Sequence, residues 1–456
     1  MANYIYFAKQ AFLAQSWSNN VRFEVSDGLI TSITTNTTAQ GAIELTGPVV
    51  PSIANLHSHA FQRAMAGLAE VCLNPNDSFW SWRELMYKMV QKLTPDDVCV
   101  IAKQLYIDML KGGYSQVAEF HYLHHQSDGT HYNQLNEMAT QLVQAADTAG
   151  LGITLLPVLY SYSGFAAKAP SDGQRRFINS TEQYLQLHQS CEQAVQHNPM
   201  HQLGVCFHSL RAVTKTQIEE VLSHTSKNIP IHIHIAEQQK EVLDCLAWSG
   251  QRPIQWLANE IGLNERWCLI HATHLTGDER LAITSNQVVA GLCPTTEANL
   301  GDGIFPATDF IKEQGRWGVG SDSNVTLCIT EELRVLEYGQ RLRDQQRNRL
   351  YDDQQKHIGD FLYTQALAGG NHATQVKLGL EVGHRADFIV LDHKNPFIAA
   401  SNNEDIFNRW IFACNENIIR HVYVAGKPVI TDFKHSEEET ASAEFTALLK
   451  RLFKNS

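Results

Sequence analysis

The sequence predicts an α/β protein: a TIM-like (β/α)8 barrel with a small β-sandwich domain built from both ends of the chain. Three observations carry this. Short, nearly all-apolar runs alternate with helical patterns through the middle of the chain, as strands buried on both faces of a parallel sheet require. Strand-like runs with turn signals fill the first 48 residues and return after residue 380. The 456 residues, 43% of them hydrophobic, are enough for one large barrel and an accessory domain.

Taken in order, residues 4–7, 21–25 and 29–33 read as short strands, the last two joined by the turn Ser26-Asp27-Gly28. Residues 383–391 and 419–424, with the turn at Ala425-Gly426-Lys427-Pro428, repeat that character near the other end. The expected division is therefore 1–48 plus 380–435 as the β domain, 49–379 as the barrel and 436–456 as a C-terminal helix. Eight barrel strands are expected at 49–56, 115–120, 152–158, 203–207, 230–235, 268–271, 288–293 and 317–320. In such a barrel, the active site lies at the C-terminal ends of the strands.

Charge and composition narrow the function. A net charge of −12 repels nucleic acid and anionic membranes, and no basic stripe interleaved with aromatics offsets it. The one dense basic stretch, 341–349, reads as a solvated helix face. Nine cysteines, scattered from Cys72 to Cys414 without a CxxC pair, argue against a disulfide framework and a Cys-rich zinc module. Reduced, buried thiols are expected. The first residues lack the layout of a signal peptide, and no apolar run approaches membrane-spanning length. A cytoplasmic location follows as the expectation.

Candidate metal ligands fall at strand ends. His57 and His59 close strand one, where alternation puts both on one face. His234 closes strand five, His271 closes strand six and Asp322 follows strand eight. A His-X-His pair alone is common by chance, but five such residues at one end of a barrel are not. Three imidazoles and a carboxylate suit one Zn²⁺ or another borderline divalent ion, with one position open for water. His232 shares a face with His234 but lies about 6–7 Å deeper, so both cannot reach one ion. His234 is preferred because Glu237 follows it three residues later, where a proton shuttle at the mouth is needed; His232 is expected to be an interior hydrogen-bonding residue. Without that neighbour, Glu237 would read as a surface glutamate opening a helix.

This constellation resembles the amidohydrolase superfamily, and the β domain made from both termini fits that resemblance over nearly the full length. No lysine stands at the end of strand four, where His208 follows 205–207, which points to the one-metal, deaminase-like branch rather than members with a bridging carboxylated lysine. Three long stretches, 55–67, 118–125 and 293–303, are similar to the formiminoglutamate deiminases of histidine degradation. The resemblance implies a metal-dependent hydrolase with one divalent ion per subunit, Zn²⁺ first and Fe²⁺ also accepted, acting on N-formimino-L-glutamate to give N-formyl-L-glutamate and ammonia. A homodimer is common among such relatives.

In the chemistry so implied, the metal acidifies a water, Asp322 and His271 take up its proton, and Glu237 carries a proton to the departing nitrogen. His271 either coordinates the ion or contacts only the water; mononuclear relatives do the second. A glutamate-derived substrate brings two carboxylates into a negative protein, so fixed cations are required. Arg211, three residues beyond His208, offers a bidentate contact that Lys cannot reproduce. By resemblance Gln62, Arg83, Tyr122 and His208 join it as substrate-binding residues. Set against this, Arg83 could simply stack on a neighbouring tryptophan and Tyr122 could be a packed loop aromatic. His121, His124, His125 and His131 share no face and are expected to be structural or incidental. The alternatives are another one-metal deaminase acting on a nucleobase or nucleoside, which would want ring partners instead of arginine, and a non-catalytic barrel, which would have lost ligands.

Overall fold

The computed structural model describes residues 3–14, 16–71 and 79–454, so Cys72 lies outside the described residues. Eight parallel strands follow one another in chain order around a ring. They are β1 (Ile53–Ser58), β2 (Tyr114–His121), β3 (Gly152–Leu159), β4 (Val205–Ser209), β5 (Ile231–Ile235), β6 (Trp267–His271), β7 (Val289–Leu292) and β8 (Arg316–Val319). Closure runs through a parallel bridge between Ser58 and Asp322. There the Asp322 N–H donates to the His57 carbonyl at 2.9 Å and the His59 N–H to the Asp322 carbonyl at 3.0 Å. Such closeness needs a residue without a side chain, and Gly320 supplies it: a Cβ there would lie 2.6 Å from the His57 nitrogen.

Helices start where short polar side chains can cap them. Thr94 accepts the Asp97 N–H before Pro95–Lys111, Ser180 that of Gln183 before Thr181–Val195, Thr214 that of Gln217 before Lys215–His224, and Thr276 that of Glu279 before Gly277–Ser285. In each, the third helical residue reaches back to the cap, which satisfies two otherwise orphan N–H groups. The long helix Ile358–Thr374 presses onto β8 and β1 at a glycine pair. A Cβ at Gly369 would sit 1.8 Å from the Trp317 carbonyl, so only glycine permits this packing. His232 Nε2, deep in the barrel, bonds the Ala373 carbonyl of that helix at 2.8 Å, the interior place expected for it.

The two ends of the chain meet in one nine-stranded sheet. Asn3–Leu13, Ser16–Ser26 and Leu29–Thr34 form its leading edge and are longer than the sequence runs suggested, because pairing continues through polar positions. Ile43–Leu45, Val49–Pro51, Phe388–Leu391, Ile419–Val424, Lys427–Thr431 and Lys434–His435 complete it. Tyr6, Phe23, Phe388 and Tyr423 interlock as its aromatic core, with ring centroids 4.4–5.5 Å apart.

Two expectations change. The run 49–56 is not one barrel strand: Val49–Pro51 pairs antiparallel with Phe388–Leu391 in the terminal sheet, and the barrel begins at Ile53. The stretch 341–349 is not one helix face, since helix Ile329–Asp344 ends within it at a left-handed Gln345. Its arginines are paired locally, Arg341 with Glu337 at 2.6 Å and both Arg343 and Arg349 with Asp344 at 2.7 Å. A C-terminal helix is present at Glu438–Leu452, packed on helix Pro95–Lys111. No helix among the described residues is long and apolar enough to cross a membrane.

Candidate metal centre and active site

Four side chains converge at the mouth of the barrel. His57, His59, His234 and Asp322 are all buried, and one ligand atom of each lies within 4.8 Å of the others. His234 Nε2 stands 3.0 Å from His57 Nε2 and 3.2 Å from His59 Nε2. Asp322 Oδ1 is 3.2 Å from His57 Nε2 and 3.3 Å from His59 Nε2. Four ligands held about 2.0–2.1 Å from a tetrahedral zinc would stand about 3.3 Å apart.

The opposite ring nitrogens test whether a cation belongs there. His59 Nδ1 donates to the Phe120 carbonyl at 2.8 Å, and His234 Nδ1 to the His208 carbonyl at 2.9 Å. A carbonyl can only accept, so each Nδ1 carries the proton. Burial pushes His57 down to about 3 and His234 well below its ordinary value, which keeps both rings neutral. Bare Nε2 lone pairs therefore face one another, an arrangement that a divalent cation relieves. Burial would raise Asp322, but contact with His57 and His59 holds it well below the ordinary carboxylate range. The donor set fits a divalent metal ion.

Backbone strain aims the group. A register shift between Asn55 and Ser58 breaks the simple alternation expected of β1, yet both imidazoles reach the same point. Ala236, His271 and Asp322, at the ends of β5, β6 and β8, have φ of +51°, +67° and +46°. Non-glycine residues in that region cost about 1–3 kcal/mol each and persist only where surrounding structure fixes them.

Beside the ligands lies a cavity of about 550 Å³, mouth included. Its wall brings together Gln62, Arg83, Tyr122, His208, Arg211, Glu237, His271 and Asp322, with His59 and His234; His57 lies behind that wall. Gln62 Nε2 donates to the Tyr122 hydroxyl at 2.9 Å. His208 packs at a tilt against Tyr160, 4.3 Å between ring centroids, and Arg83 lies over the Tyr87 ring at 5.5 Å. Arg211 is 8% exposed. Burial opposes its charge, but Glu241 and Glu237 hold its pKa above the ordinary value.

Glu237 and His271 form the acid–base edge. Burial, with repulsion from Asp322, pushes Glu237 up to about 7 against the attraction of His271. Burial would lower His271, but Glu237 and the contact with Glu297 carry it up; a divalent ion held beside it would oppose that charge and leave the ring neutral to accept a proton. His271 Nε2 lies 3.9 Å from Glu237 Oε1 and 3.7 Å from Asp322 Oδ2. Outside this edge, two histidines beyond β2 bond the backbone: His124 Nε2 the Val158 carbonyl at 3.0 Å and His125 Nε2 that of Ile178 at 2.9 Å.

Sequence reasoning missed Trp82, Met86, Tyr87, Tyr160, Phe177, Leu300 and Ser323 in the wall, and Glu241 and Glu297 behind it. Glu297 lies inside the stretch 293–303, and Glu241 stands one helical turn beyond Glu237, the only signals either offered.

Comparison with known proteins agrees with this geometry. The amidohydrolase family model matches residues 49–429. The chain belongs to the amidohydrolase family. Residues 4–47 match the model of the N-terminal domain of formimidoylglutamate deiminase HutF. This amidohydrolase is 55% identical to formimidoylglutamate deiminase of Pseudomonas aeruginosa over 98% of its own length and 99% of that protein. It is 24% identical, over 84% of its length and 81% of the relative, to a 5-methylthioadenosine/S-adenosylhomocysteine deaminase of Natronomonas pharaonis. Among solved structures, an amidohydrolase from Brucella melitensis superposes with a TM-score of 0.95 at 44% identity, covering 99% of this chain and 100% of that one. An adenosine deaminase from Xanthomonas campestris with bound zinc superposes at 0.82 with 18% identity, covering 99% and 98%, which speaks for the fold alone. Amidohydrolases of this type are metal-dependent hydrolases, and the His57, His59, His234 and Asp322 group is where such an ion would be held.

Proposed function

We propose that this amidohydrolase hydrolyses N-formimino-L-glutamate to N-formyl-L-glutamate and ammonia, with one divalent ion, Zn²⁺ first, held by His57, His59, His234 and Asp322. The observation that carries the reading is that one cavity wall combines acid–base carboxylates with buried arginine. The 55% identity to the Pseudomonas aeruginosa deiminase supports it across the whole chain.

A bound divalent ion supplies Lewis acidity, which makes water nucleophilic near neutral pH. Around it, Asp322 and His271 receive the water's proton as the oxygen adds to the formimino carbon. Glu237, poised near 7, can hold or release a proton close to neutrality. It passes that proton to the terminal nitrogen, the C–N bond breaks, ammonia leaves and the carbon keeps the oxygen as a formyl group. The cationic formimino group is drawn to the Glu237 carboxylate. Arg211 and Arg83 take the substrate carboxylates, and Gln62, Tyr122 and His208 orient the chain between. The overall charge of −12 disfavours an anion, so these donors inside the cavity supply recognition that the surface cannot. A cytoplasmic enzyme, with a homodimer as its assembly, completes the reading.

The test incubates zinc-loaded protein with formiminoglutamate, formiminoaspartate, guanine, cytosine and adenosine while ammonia and formyl product are measured. Equal amounts of ammonia and formylglutamate are expected from the first substrate. Release from a nucleobase or adenosine alone would overturn the assignment, and no release from any of them would favour a scaffold.

A further inference from the structure

His271 has two ring nitrogens, and the proposed reaction uses one. Nε2 looks into the gap between Glu237 and Asp322, buried and without a hydrogen-bond partner among the described residues. Nδ1, on the opposite edge, lies 3.3 Å from Glu297 Oε1. The same oxygen accepts the backbone N–H of Cys293 at 2.9 Å. Glu297 is buried in helix Pro294–Leu300, which begins directly after β7. A carboxylate near a helix N-terminus is favourably placed, and the reach back to Cys293 ties it to the strand end. The Cys293 side chain packs with Leu56, Cys268 and Ile270, so an apolar cluster lies beside this contact.

Strand pairing alone does not set the angle of the His271 ring, because its φ of +67° takes the chain out of extended geometry at that residue. A side-chain anchor is needed. We propose that Glu297 is a positioning residue for the deimination assigned above, on which this inference rests: its carboxylate holds His271 with a proton on Nδ1 and Nε2 turned toward Glu237 and Asp322. Oε1 already accepts the Cys293 N–H, so it meets Nδ1 as an acceptor and favours the Nδ1–H form of a neutral ring. When Nε2 accepts the water's proton, the same carboxylate stabilises the imidazolium, as an aspartate does behind a triad histidine. Glutamine at this position keeps an oxygen for the Cys293 N–H but can also offer an amide N–H to Nδ1, which admits the wrong tautomer.

The test compares zinc-loaded wild type, Glu297→Gln and Glu297→Ala. Metal content, thermal midpoint and KM of Glu297→Gln are expected to stay near wild type, KM within about threefold, while kcat falls at least about tenfold. Glu297→Ala, which also loses the tie to Cys293, is expected to lower the midpoint as well. Histidine-selective ¹⁵N spectra give a readout independent of turnover, with the His271 signal identified by its loss in His271→Asn. That signal is expected to show a protonated Nδ1 in wild type and mixed tautomers in Glu297→Gln. A Glu297→Gln kcat within twofold of wild type, or an unprotonated Nδ1 in wild type, overturns the proposal. If wild type releases no ammonia from formiminoglutamate, the functional reading fails, and the ¹⁵N spectra still decide the positioning role.

Discussion

Among the described residues, two clusters set a pair or more of imidazoles against a carboxylate, one buried at the barrel mouth and one reaching the surface at Asp147 and His197, with His201 buried beneath. In both, the ligand atoms lie within 4.8 Å of one another, and what separates them is the second ring nitrogen. At the mouth, His59 and His234 give their Nδ1 protons to carbonyls, so their lone pairs turn inward together. On the surface, His197 meets acceptors on both sides, the Ala194 carbonyl at 2.9 Å and Asp147 at 2.7 Å, and so carries two protons. His201 takes the Ile153 N–H on Nδ1 at 3.4 Å and donates Nε2–H to Asp147 at 3.0 Å. Neither ring of this second cluster has a lone pair left for an ion. The spacing of ligand types is therefore insufficient evidence for a metal; the tautomers that the backbone imposes decide.

Breaking the comparison at its strong side should have the largest effect. His234→Ala and Asp322→Asn are each expected to abolish stoichiometric metal binding and to lower kcat/KM at least about a thousandfold, checked by elemental analysis and ammonia release. His197→Ala should leave metal content unchanged; loss of the ion there would invert the comparison. Within the mouth, Glu237→Gln should retain the metal and lower kcat by about 10²–10⁴-fold with KM little altered. Arg211→Met should do the reverse, raising KM for a dicarboxylate about 10–100-fold, as the loss of a charge-assisted contact predicts. Similar, small effects of both changes would contradict their assigned roles.

The smallest effect is expected at the surface, where Asp147→Asn should cost less than about 1 kcal/mol. Its sign depends on pH. The hydrogen bond to Asp147 raises His197 above 6.5, so that share of stability is complete below 6.5 and is lost as pH rises through the folded value. Burial would raise Asp147, but bonds from Asn198 and His197 hold it below 3.8; its share is present above 3.8 and is lost as pH falls through the folded value. Thermal midpoints of wild type and variant should differ most between these two values and converge toward alkaline pH. A gap that widens there would contradict the ion-pair reading.

Much of the barrel was legible because a parallel sheet buried on both faces leaves apolar runs of strand length, and each of β2 to β8 lies under such a run. The first run misled, because Val49 to Leu56 is continuous in hydrophobicity while the chain passes between two sheets at Ser52. Local composition does not record which partner a buried strand has. The ligand residues were legible because each lies at or just beyond the end of a strand. The cavity wall was not: Met86, Tyr87, Tyr160, Phe177 and Leu300 are ordinary packing residues until loops from several strands enclose one space.

By itself, the sequence determined the order of strands and helices, the residue types gathered at strand ends and the family to which they point. Periodicity and chemical identity are properties of the chain, so they survive without coordinates. Only the tertiary structure decided which ring nitrogen of His59 and of His234 holds the proton, that Gly320 lets β8 close against β1, and that Glu297 lies behind His271 instead of facing solvent. These depend on atoms brought together from distant segments, and contacts a few ångströms long between such segments leave no period in the sequence.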